Sequence, residues 1–320
     1  MNKNTLRIVF MGTPAFATTI LAKLITEQFN VVGCVTVPDK PAGRGRKLQE
    51  SDVKKFATEQ QIPTLQPEKL KDESFVQALA EWKADLFIVV AFRMLPKVVW
   101  SMPTLGTINL HGSLLPNYRG AAPINWAVIN GEKETGVTSF FINETIDTGD
   151  ILLQEKMSIG DNETAGEVHD RMMHLGADVI VNTINQLMSN SVKAIPQENF
   201  DLSKIKEAPK LFKEDGKLNF EEDISALHNR IRGLSPFPSA WLKLKHIDKG
   251  EFKTFKIYKS EIHSTSSNKH VSITVENQSL ILNSKNGSLI LHEVQIEGKR
   301  KMQSSEFIRG FRADEWLVDI

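Results

Sequence analysis

Short apolar runs rich in β-branched residues alternate with amphipathic stretches from residue 6 onward, and no other feature restricts the fold of this chain as strongly. The apolar runs at 6–11, 31–37, 85–91 and 107–110 predict strands, and the stretches around 15–28, 51–60, 73–82 and 121–130 predict helices. Nearly continuous apolar strands separated by helices are typical of a parallel sheet that helices cover on both faces. We therefore predict a Rossmann-like α/β domain with an open parallel sheet.

The pattern changes in the second half of the chain. Strands at 137–142 and 151–157 and a long helix over 163–188 complete the first domain, whereas residues 190–210 have no periodicity and contain two prolines. After a helix near 222–232, short alternating strands follow at 240–246, 253–262, 270–275, 279–283 and 288–296. Five short strands indicate a small β-barrel of the oligonucleotide-binding (OB) type. The predicted domains are 1–190 and 210–320, joined by a linker at 191–209.

Composition indicates an ordinary globular protein, with 320 residues, 41% hydrophobic and 24% charged. The start of the chain lacks the features of a secretory signal, and no apolar run approaches the ~20 residues of a membrane helix. The single cysteine, Cys34, lies in an apolar run, which fits a structural role in a reducing compartment. We therefore expect a cytoplasmic protein without membrane contact. Because neither predicted domain has an unpaired apolar face, we also expect a monomer.

Positive charge is concentrated locally, although the 39 basic and 39 acidic residues balance. Each basic cluster alone is typical of a solvated surface. Together, and with two of them in the C-terminal third, they favour a polyanionic substrate that reaches both halves of the chain. The clusters are 44–47, the lysines at 243, 245, 249, 253, 256 and 259, and 299–301.

The segment 109–123 contains the residues best suited to chemistry, beginning at the end of a predicted strand. Ligands of open parallel sheets bind beyond the carboxyl ends of the strands. Because side chains alternate along a strand, Asn109 and His111 face the same side, about 6.6 Å apart. Acyl transfer to an amine requires donors for the developing oxyanion and a group that manages a proton. Asn109 and His111 are suited to these tasks, and Asp147, at a turn between two predicted strands, can orient and stabilise the imidazole.

Simpler interpretations of these residues remain open at this point. A histidine at a strand end is often structural, and Asp-Thr-Gly-Asp at 147–150 is a common turn. Ser113 is a conceivable nucleophile, although a residue two positions from its base is seldom well placed. A nicotinamide dehydrogenase is poorly supported, because Gly12 stands alone where the dinucleotide motif has three glycines. No metal-spaced cluster is present in the sequence, and we predict no metal.

The run Asn-Leu-His-Gly-Ser-Leu-Leu-Pro at 109–116, followed by Asp-Thr-Gly-Asp at 147–150, resembles the folate-dependent formyltransferases. The resemblance implies that 10-formyltetrahydrofolate is the formyl donor and that Asn109, His111 and Asp147 are the catalytic trio. It further implies that the donor contacts two segments, whose residues are Ser113, Leu114, Leu115 and Pro116, and Phe92, Arg93, Met94 and Leu95.

Several stretches resemble the branch of this family that formylates charged initiator methionyl-tRNA. They are Gly-Thr-Pro-x-Phe-Ala at 12–17, the basic loop 38–47, Arg-Gly-Ala-Ala-Pro at 119–123, and the segments 210–216 and 232–241. The resemblance implies tRNA contacts by Arg44, Arg46, Lys47 and Lys210. Two alternatives stay open: a sugar-nucleotide formyltransferase, which would need neither basic loop nor barrel, and a non-catalytic tRNA-binding protein, against which the intact trio argues.

Overall fold

The computed structural model describes residues 2–42, 47–266 and 270–319. The first half of the chain contains β1 (Arg7–Gly12), α1 (Ala15–Thr26), β2 (Asn30–Val35), β3 (Lys40–Ala42), β4 (Lys47–Gln49), α2 (Asp52–Glu59), β5 (Thr64–Leu65), α3 (Glu73–Glu81), β6 (Leu86–Val90), α4 (Lys97–Trp100), β7 (Thr107–His111), β8 (Arg119–Gly120), α5 (Pro123–Ile129), β9 (Glu134–Phe141) and β10 (Ile151–Ser158). The second half contains α6 (Ala165–Met188), β11 (Glu207–Ala208), α7 (Ile224–Gly233), β12 (Ala240–His246), β13 (Phe252–Ser264), β14 (Ser272–Glu276), β15 (Ser279–Ser284), β16 (Gly287–Ile296), β17 (Met302–Gln303), α8 (Ser304–Phe307) and β18 (Trp316–Asp319).

The chain divides into two compact units, each built from several segments. The first comprises Met1–Gly120, Gly136–Met157 and His169–Glu207, and the second comprises Ala121–Thr135, Ser158–Val168 and Ala208–Ile320. Helix α5 and the start of α6 therefore group with the C-terminal half of the chain, although they lie within the N-terminal half of the sequence.

The first unit is built on a seven-stranded sheet in the order β10-β9-β7-β6-β1-β2-β5. Pairing is parallel from β5 to β7, which confirms the predicted α/β class, whereas β9 runs antiparallel to β7. Strand β1 is buried on both faces: Val9 and Met11 pack in a cluster with α3, and Ile8 and Phe10 are also fully buried. A strand covered on both faces explains the continuous apolar run in the sequence.

The second unit contains an antiparallel sheet in the order β14-β15-β16-β13-β12-β18, with β17 also paired to β16. This confirms the predicted small barrel and adds β17 and β18 to the five expected strands. Helix α7 begins at the Asp223 cap, whose carboxylate accepts from the backbone N–H groups of Ser225 and Ala226, each at 2.9 Å. Its buried face, including Leu227 and Ile231, joins the barrel core.

Cys34 lies in β2 and is completely buried. Burial raises the pKa of its thiol to about 12, so the reactive thiolate is disfavoured at neutral pH. The structure thus agrees with a structural cysteine. Among the described residues, no helix combines the length and apolar character needed to span a bilayer.

Replacing Phe255 with alanine should destabilise the second unit. Phe255 is fully buried, with its ring centroid 5.5 Å from that of Phe307, so truncation leaves a cavity costing about 3–5 kcal/mol. Phe252 on the same strand is 50% exposed, so Phe252→Ala is the matched control, expected to cost under about 1 kcal/mol. Urea unfolding followed by circular dichroism measures both. Equal losses in the two variants would contradict this account of the barrel core.

Candidate active site

Strands β6 and β7 place the two predicted donor-binding segments at one edge of the sheet. They pair in parallel with Val90 opposite Leu110, so the chain leaves both strands at the same level. Asn109 lies between Val89 on β6 and Phe140 on β9. Within the described part of the chain, the Asn109 side-chain amide has no hydrogen-bond partner, although it is only partly exposed. Its donors are therefore available to a bound molecule.

His111 is the last residue of β7, and its side chain is held from within the protein. Only 6% of the residue is exposed. The ring nitrogen Nε2 lies 2.8 Å from the Tyr118 carbonyl oxygen, which can only accept. Nε2 therefore carries a proton in either the neutral or the charged ring. Nδ1 is left as the nitrogen that can change its protonation state.

Asp147 faces that second nitrogen. Its Oδ2 lies 3.8 Å from His111 Nδ1 and accepts a hydrogen bond of 3.0 Å from the backbone N–H of Gly120. Asp147 adopts a left-handed backbone conformation with φ of 55°, a region where Asp is enriched among non-glycine residues. The 3.8 Å separation exceeds a hydrogen bond, so Asp147 makes no direct hydrogen bond to Nδ1. Two residues of the predicted trio, Asn109 and His111, thus lie on β7, and the third, Asp147, lies in the connection between β9 and β10.

Gln197 holds the Asp147 turn, and the sequence analysis did not identify it. Its Nε2 donates to the backbone carbonyl oxygens of Asp147 and Gly149 at 3.0 and 2.8 Å. Its Oε1 accepts from the Arg119 guanidinium at 2.6 and 3.1 Å. Burial lowers the pKa of Arg119, and the charge of Asp147 opposes that change. No local signal marks Gln197, because it lies in an aperiodic segment 50 residues from Asp147.

The segment after β7 is fixed by side chains of β9 and β10. Thr138 donates its hydroxyl to the Ser113 carbonyl at 2.6 Å and accepts from the Leu115 N–H at 3.1 Å. Gln154 donates to the Leu115 carbonyl at 2.8 Å. Buried backbone groups of an irregular segment need such partners, since water cannot reach them. The loop is therefore rigidly shaped before any ligand arrives.

Ser113 has a structural role within that loop. Its side chain is fully buried, and its hydroxyl donates to the Asn117 carbonyl at 2.6 Å. An inaccessible hydroxyl with a committed proton cannot attack a substrate. The alternative of a Ser113 nucleophile is therefore not supported. Leu115 and Pro116 are also buried, whereas Leu114 is partly exposed.

The second predicted donor-binding segment follows β6. Met94 is 68% exposed and Leu95 is buried. The Arg93 guanidinium donates to the carbonyl oxygens of Pro67 and Glu68 at 2.8 and 2.9 Å and lies over the Phe92 ring. Burial lowers the pKa of Arg93. The Arg93 side chain therefore connects the loop after β6 to the neighbouring 67–68 segment. Met94 is the most accessible of the four side chains in this loop.

Of the residues expected to contact tRNA, Arg44 and Arg46 lie outside the described residues, and Lys47 is described only as part of the β3–β4 pair. Lys210 is exposed, with its Nζ 5.3 Å from the centroid of the exposed Phe212 ring. Across the described ranges, no group of three or more His, Cys, Asp and Glu side chains is arranged to hold a metal ion.

Comparison with known proteins gives consistent matches along the chain. A family model described as formyl transferase matches residues 6–184, and the model of its C-terminal domain matches residues 210–312. A methionyl-tRNA formyltransferase of Bacteroides fragilis is 48% identical over 98% of both chains. One of Flavobacterium johnsoniae is 49% identical over 95% of this chain and 96% of its own.

Similarity to solved structures concerns the fold. The sugar 3N-formyltransferase WlaRD, crystallised in the presence of dTDP and 5-N-formyl-THF, superposes with a TM-score of 0.66 at 20% identity. The match covers 93% of this chain and 100% of that one. The two-part architecture is thus shared well beyond the range of recognisable sequence identity.

Gly149 should not tolerate a side chain. A Cβ built at this position would lie 1.6 Å from the Phe141 carbonyl oxygen, so Gly149→Ala must displace backbone and should cost at least about 2 kcal/mol. Gly310→Ala is the matched control, because a Cβ there meets nothing within 4 Å, and its effect should stay below about 0.5 kcal/mol. Urea unfolding followed by tryptophan fluorescence measures both. Wild-type stability of Gly149→Ala would show that the turn is not tightly packed.

Proposed function

This chain belongs to the formyl transferase family, and we propose on that basis that it transfers a formyl group from 10-formyltetrahydrofolate to the α-amino group of methionyl initiator tRNA. The identity of almost half over nearly the whole length supports the methionyl-tRNA branch. The acceptor implies a cytoplasmic enzyme of translation initiation, and we propose that it acts as a monomer.

The observation that carries the proposed chemistry is the unpartnered Asn109 amide beside the fixed His111–Asp147 pair. When the amine attacks the formyl carbon, the carbonyl oxygen becomes negative and needs donors that are already in place. Asn109 supplies one donor. His111, whose Nε2 proton is committed to Tyr118, supplies the other from protonated Nδ1.

Asp147 compensates the positive charge that His111 carries when both nitrogens are protonated. Its Oδ2 is held by the Gly120 N–H, whereas Oδ1 has no hydrogen-bond partner among the described residues. We assign Oδ1 to the relay, through a water molecule, of the proton that the attacking amine releases. The bond between the formyl carbon and N10 of the folate then breaks, N10 takes up a proton, and tetrahydrofolate leaves. An α-amino group titrates near about 8, so a substantial fraction of the acceptor is neutral and nucleophilic at physiological pH.

We propose that the folate lies between the loops that follow β6 and β7. Phe92, Met94 and the loop backbone would contact the pterin, while Arg93 shapes the loop through its bonds to Pro67 and Glu68. In the second loop, Leu114 is the accessible side chain. Ser113, Leu115 and Pro116 support it from inside. The rigid anchoring by Thr138 and Gln154 is consistent with a preformed small-molecule site.

The described residues on either side of the basic loop that we assign to tRNA are well held. Strands β3 and β4 form an antiparallel pair in which Lys40 lies opposite Gln49. At the base, Asp39 accepts hydrogen bonds from Lys54 and from Gln66, and these bonds lower the pKa of its carboxyl group. Arg44 and Arg46 lie outside the described residues, and Lys47 is the first residue of β4. We propose that they contact phosphates at the acceptor end of the tRNA.

A second tRNA-contacting surface is proposed on the barrel. Several of the basic residues noted in the sequence are neutralised, since Lys253, Lys259, Arg300 and Lys301 each form an ion pair with a glutamate. Lys243, Lys245 and Lys256 lie on the outward face of β12 and β13, and none has a carboxylate within 4.0 Å among the described residues. These three lysines, with Lys210, would bind the phosphate backbone without reading sequence.

Asn109→Ala should lower kcat with 10-formyltetrahydrofolate and methionyl-tRNA by about 10²–10³-fold, because one oxyanion donor is lost. KM for the folate should change little, since the amide acts on the transition state. Asn162→Ala, at an exposed asparagine in the second unit, is the matched control and should retain wild-type kinetics. Near-wild-type kcat in Asn109→Ala would remove this residue from the mechanism.

Lys245→Ala should weaken tRNA use while leaving chemistry intact. KM for methionyl-tRNA is expected to rise, and the salt dependence of tRNA affinity should become shallower by about one phosphate contact. Lys301→Ala removes an equal charge that already pairs with Glu293 at 2.9 Å, so it should leave the salt slope unchanged. Equal effects of both variants would place the tRNA surface elsewhere.

The acceptor itself is tested by incubating the wild-type protein and 10-formyltetrahydrofolate with three candidates. These are charged initiator methionyl-tRNA, an amino-sugar nucleotide and phosphoribosyl-glycinamide. Transfer of a radiolabelled formyl group to each acceptor is measured. Formylation of methionyl-tRNA is expected. Transfer to a small-molecule acceptor alone would contradict the proposed function.

A further inference from the structure

Gln197 is a buried neutral amide whose every hydrogen-bonding position is used. Only 3% of the residue is exposed. The two Nε2 protons go to the Asp147 and Gly149 carbonyl oxygens, and Oε1 accepts two bonds from Arg119. Carbonyl groups can only accept and a guanidinium can only donate, so the amide has one possible orientation. Because all of its hydrogen bonds are made, the amide holds the Arg119 guanidinium and the two carbonyl groups in one relative geometry.

A short strand-like contact positions Gln197 near the turn that contains Asp147. Ile195 and Ile151 exchange backbone hydrogen bonds of 2.9 and 2.8 Å, which aligns the segment after α6 with the start of β10. Gln197 then begins a single 3₁₀ turn after Pro196. Its side chain consequently points back to the connection that contains Asp147.

The same amide supports the Asp147 carboxylate from two directions. On one side it bonds the backbone of Asp147 itself, which stands in a left-handed conformation. On the other side it bonds Arg119, the neighbour of Gly120, whose N–H holds Asp147 Oδ2. The turn and the carboxylate's hydrogen-bond donor are therefore fixed relative to each other by one side chain.

We propose that Gln197 is a positioning residue for formyl transfer, which sets the Asp147 carboxylate against Nδ1 of His111. The inference rests on the proposed function, and it adds a residue outside the catalytic trio. Gln197 does not touch the reacting atoms. It acts by holding Asp147 Oδ2 at its observed separation of 3.8 Å from His111 Nδ1.

Two substitutions test the hydrogen bonds of the amide. Gln197→Met keeps the approximate shape and removes all four hydrogen bonds. Gln197→Glu keeps an acceptor for Arg119 but places a carboxylate against two carbonyl oxygens. Both should lower kcat about 10²-fold, as expected for a misplacement near 1 Å, and should leave both KM values within about 2-fold. Glu198→Ala, at the exposed neighbour in the same turn, is the control and should behave as wild type.

A double-mutant cycle distinguishes positioning from a general structural role. In an Asp147→Ala background, Gln197→Met should lower kcat by less than about 2-fold, because the group it positions is gone. An equal loss of kcat on Gln197→Met in the wild-type and Asp147→Ala backgrounds would overturn the inference. Full activity of Gln197→Glu would also overturn it, since the two donated bonds would then be dispensable.

A readout that needs no turnover keeps the inference separate from the proposed function. In protein labelled with ¹⁵N-glycine, the Gly120 amide signal reports its charge-assisted bond to Asp147 Oδ2. Asp147→Ala and Gln197→Met should move this signal in the same direction, and Glu198→Ala should not move it. An unmoved signal in Gln197→Met contradicts the inference even if the wild type formylates methionyl-tRNA. A wild type inactive with every acceptor contradicts the proposed function alone, because the Gly120 signal still tests Gln197.

Discussion

The hydrogen bond between His111 Nε2 and the Tyr118 carbonyl oxygen determines much of the local structure at the end of β7. A histidine residue that is only 6% exposed has lost most of its water, so its polar atoms require protein partners. The bond satisfies Nε2 and leaves Nδ1 as the single nitrogen available for chemistry. It also requires the chain to turn back within seven residues, and Tyr118 accordingly has a left-handed φ of 62°.

Three neutral side chains stabilise the irregular backbone that this arrangement creates. Thr138 and Gln154 satisfy the loop after β7, and Gln197 satisfies the turn at Asp147. Neutral hydrogen-bonding groups hold buried carbonyls without adding a charge that would compete for Asp147. Arg119 is the charged member of this network, and its guanidinium is bonded to Gln197 Oε1, not to the Asp147 carboxylate. The Asp147 carboxylate instead accepts its hydrogen bond from the Gly120 N–H.

Sequence patterns predicted the elements whose burial is continuous and local. The apolar runs of β1 and β6 identified the sheet, because strands covered on both faces must be apolar throughout. The direction of β9 could not be predicted, since a buried strand has the same pattern in either orientation. β18, at Trp316–Asp319, alternates partly buried and exposed residues over only four positions, too short a run to register as periodicity.

In the candidate site, too, the sequence predicted the residues that share a local pattern and not those that meet only in the folded chain. Asn109 and His111 share one strand, so their spacing alone suggested a common site. Asp147 entered as a turn residue that could orient the imidazole, and the family motif added it to the catalytic trio, which remains a proposal. Gln197 and the Gly120 N–H reach Asp147 across long stretches of chain, and their contribution depends on tertiary contacts that no local pattern records.

Short-range ion pairs neutralise several of the basic residues of the barrel, and this affects how a polyanion would be bound. Glutamates neutralise Lys253, Lys259 and Lys301. Lys243, Lys245 and Lys256, on the outward face of β12 and β13, have no carboxylate within 4.0 Å among the described residues. With a screening length of about 8 Å at physiological ionic strength, a neutral protein exerts little attraction on a distant nucleic acid. The local lysines would act on phosphates at contact distance. Shape and the number of simultaneous contacts, more than long-range steering, would then decide which tRNA remains bound long enough to present its amine to Asn109 and His111.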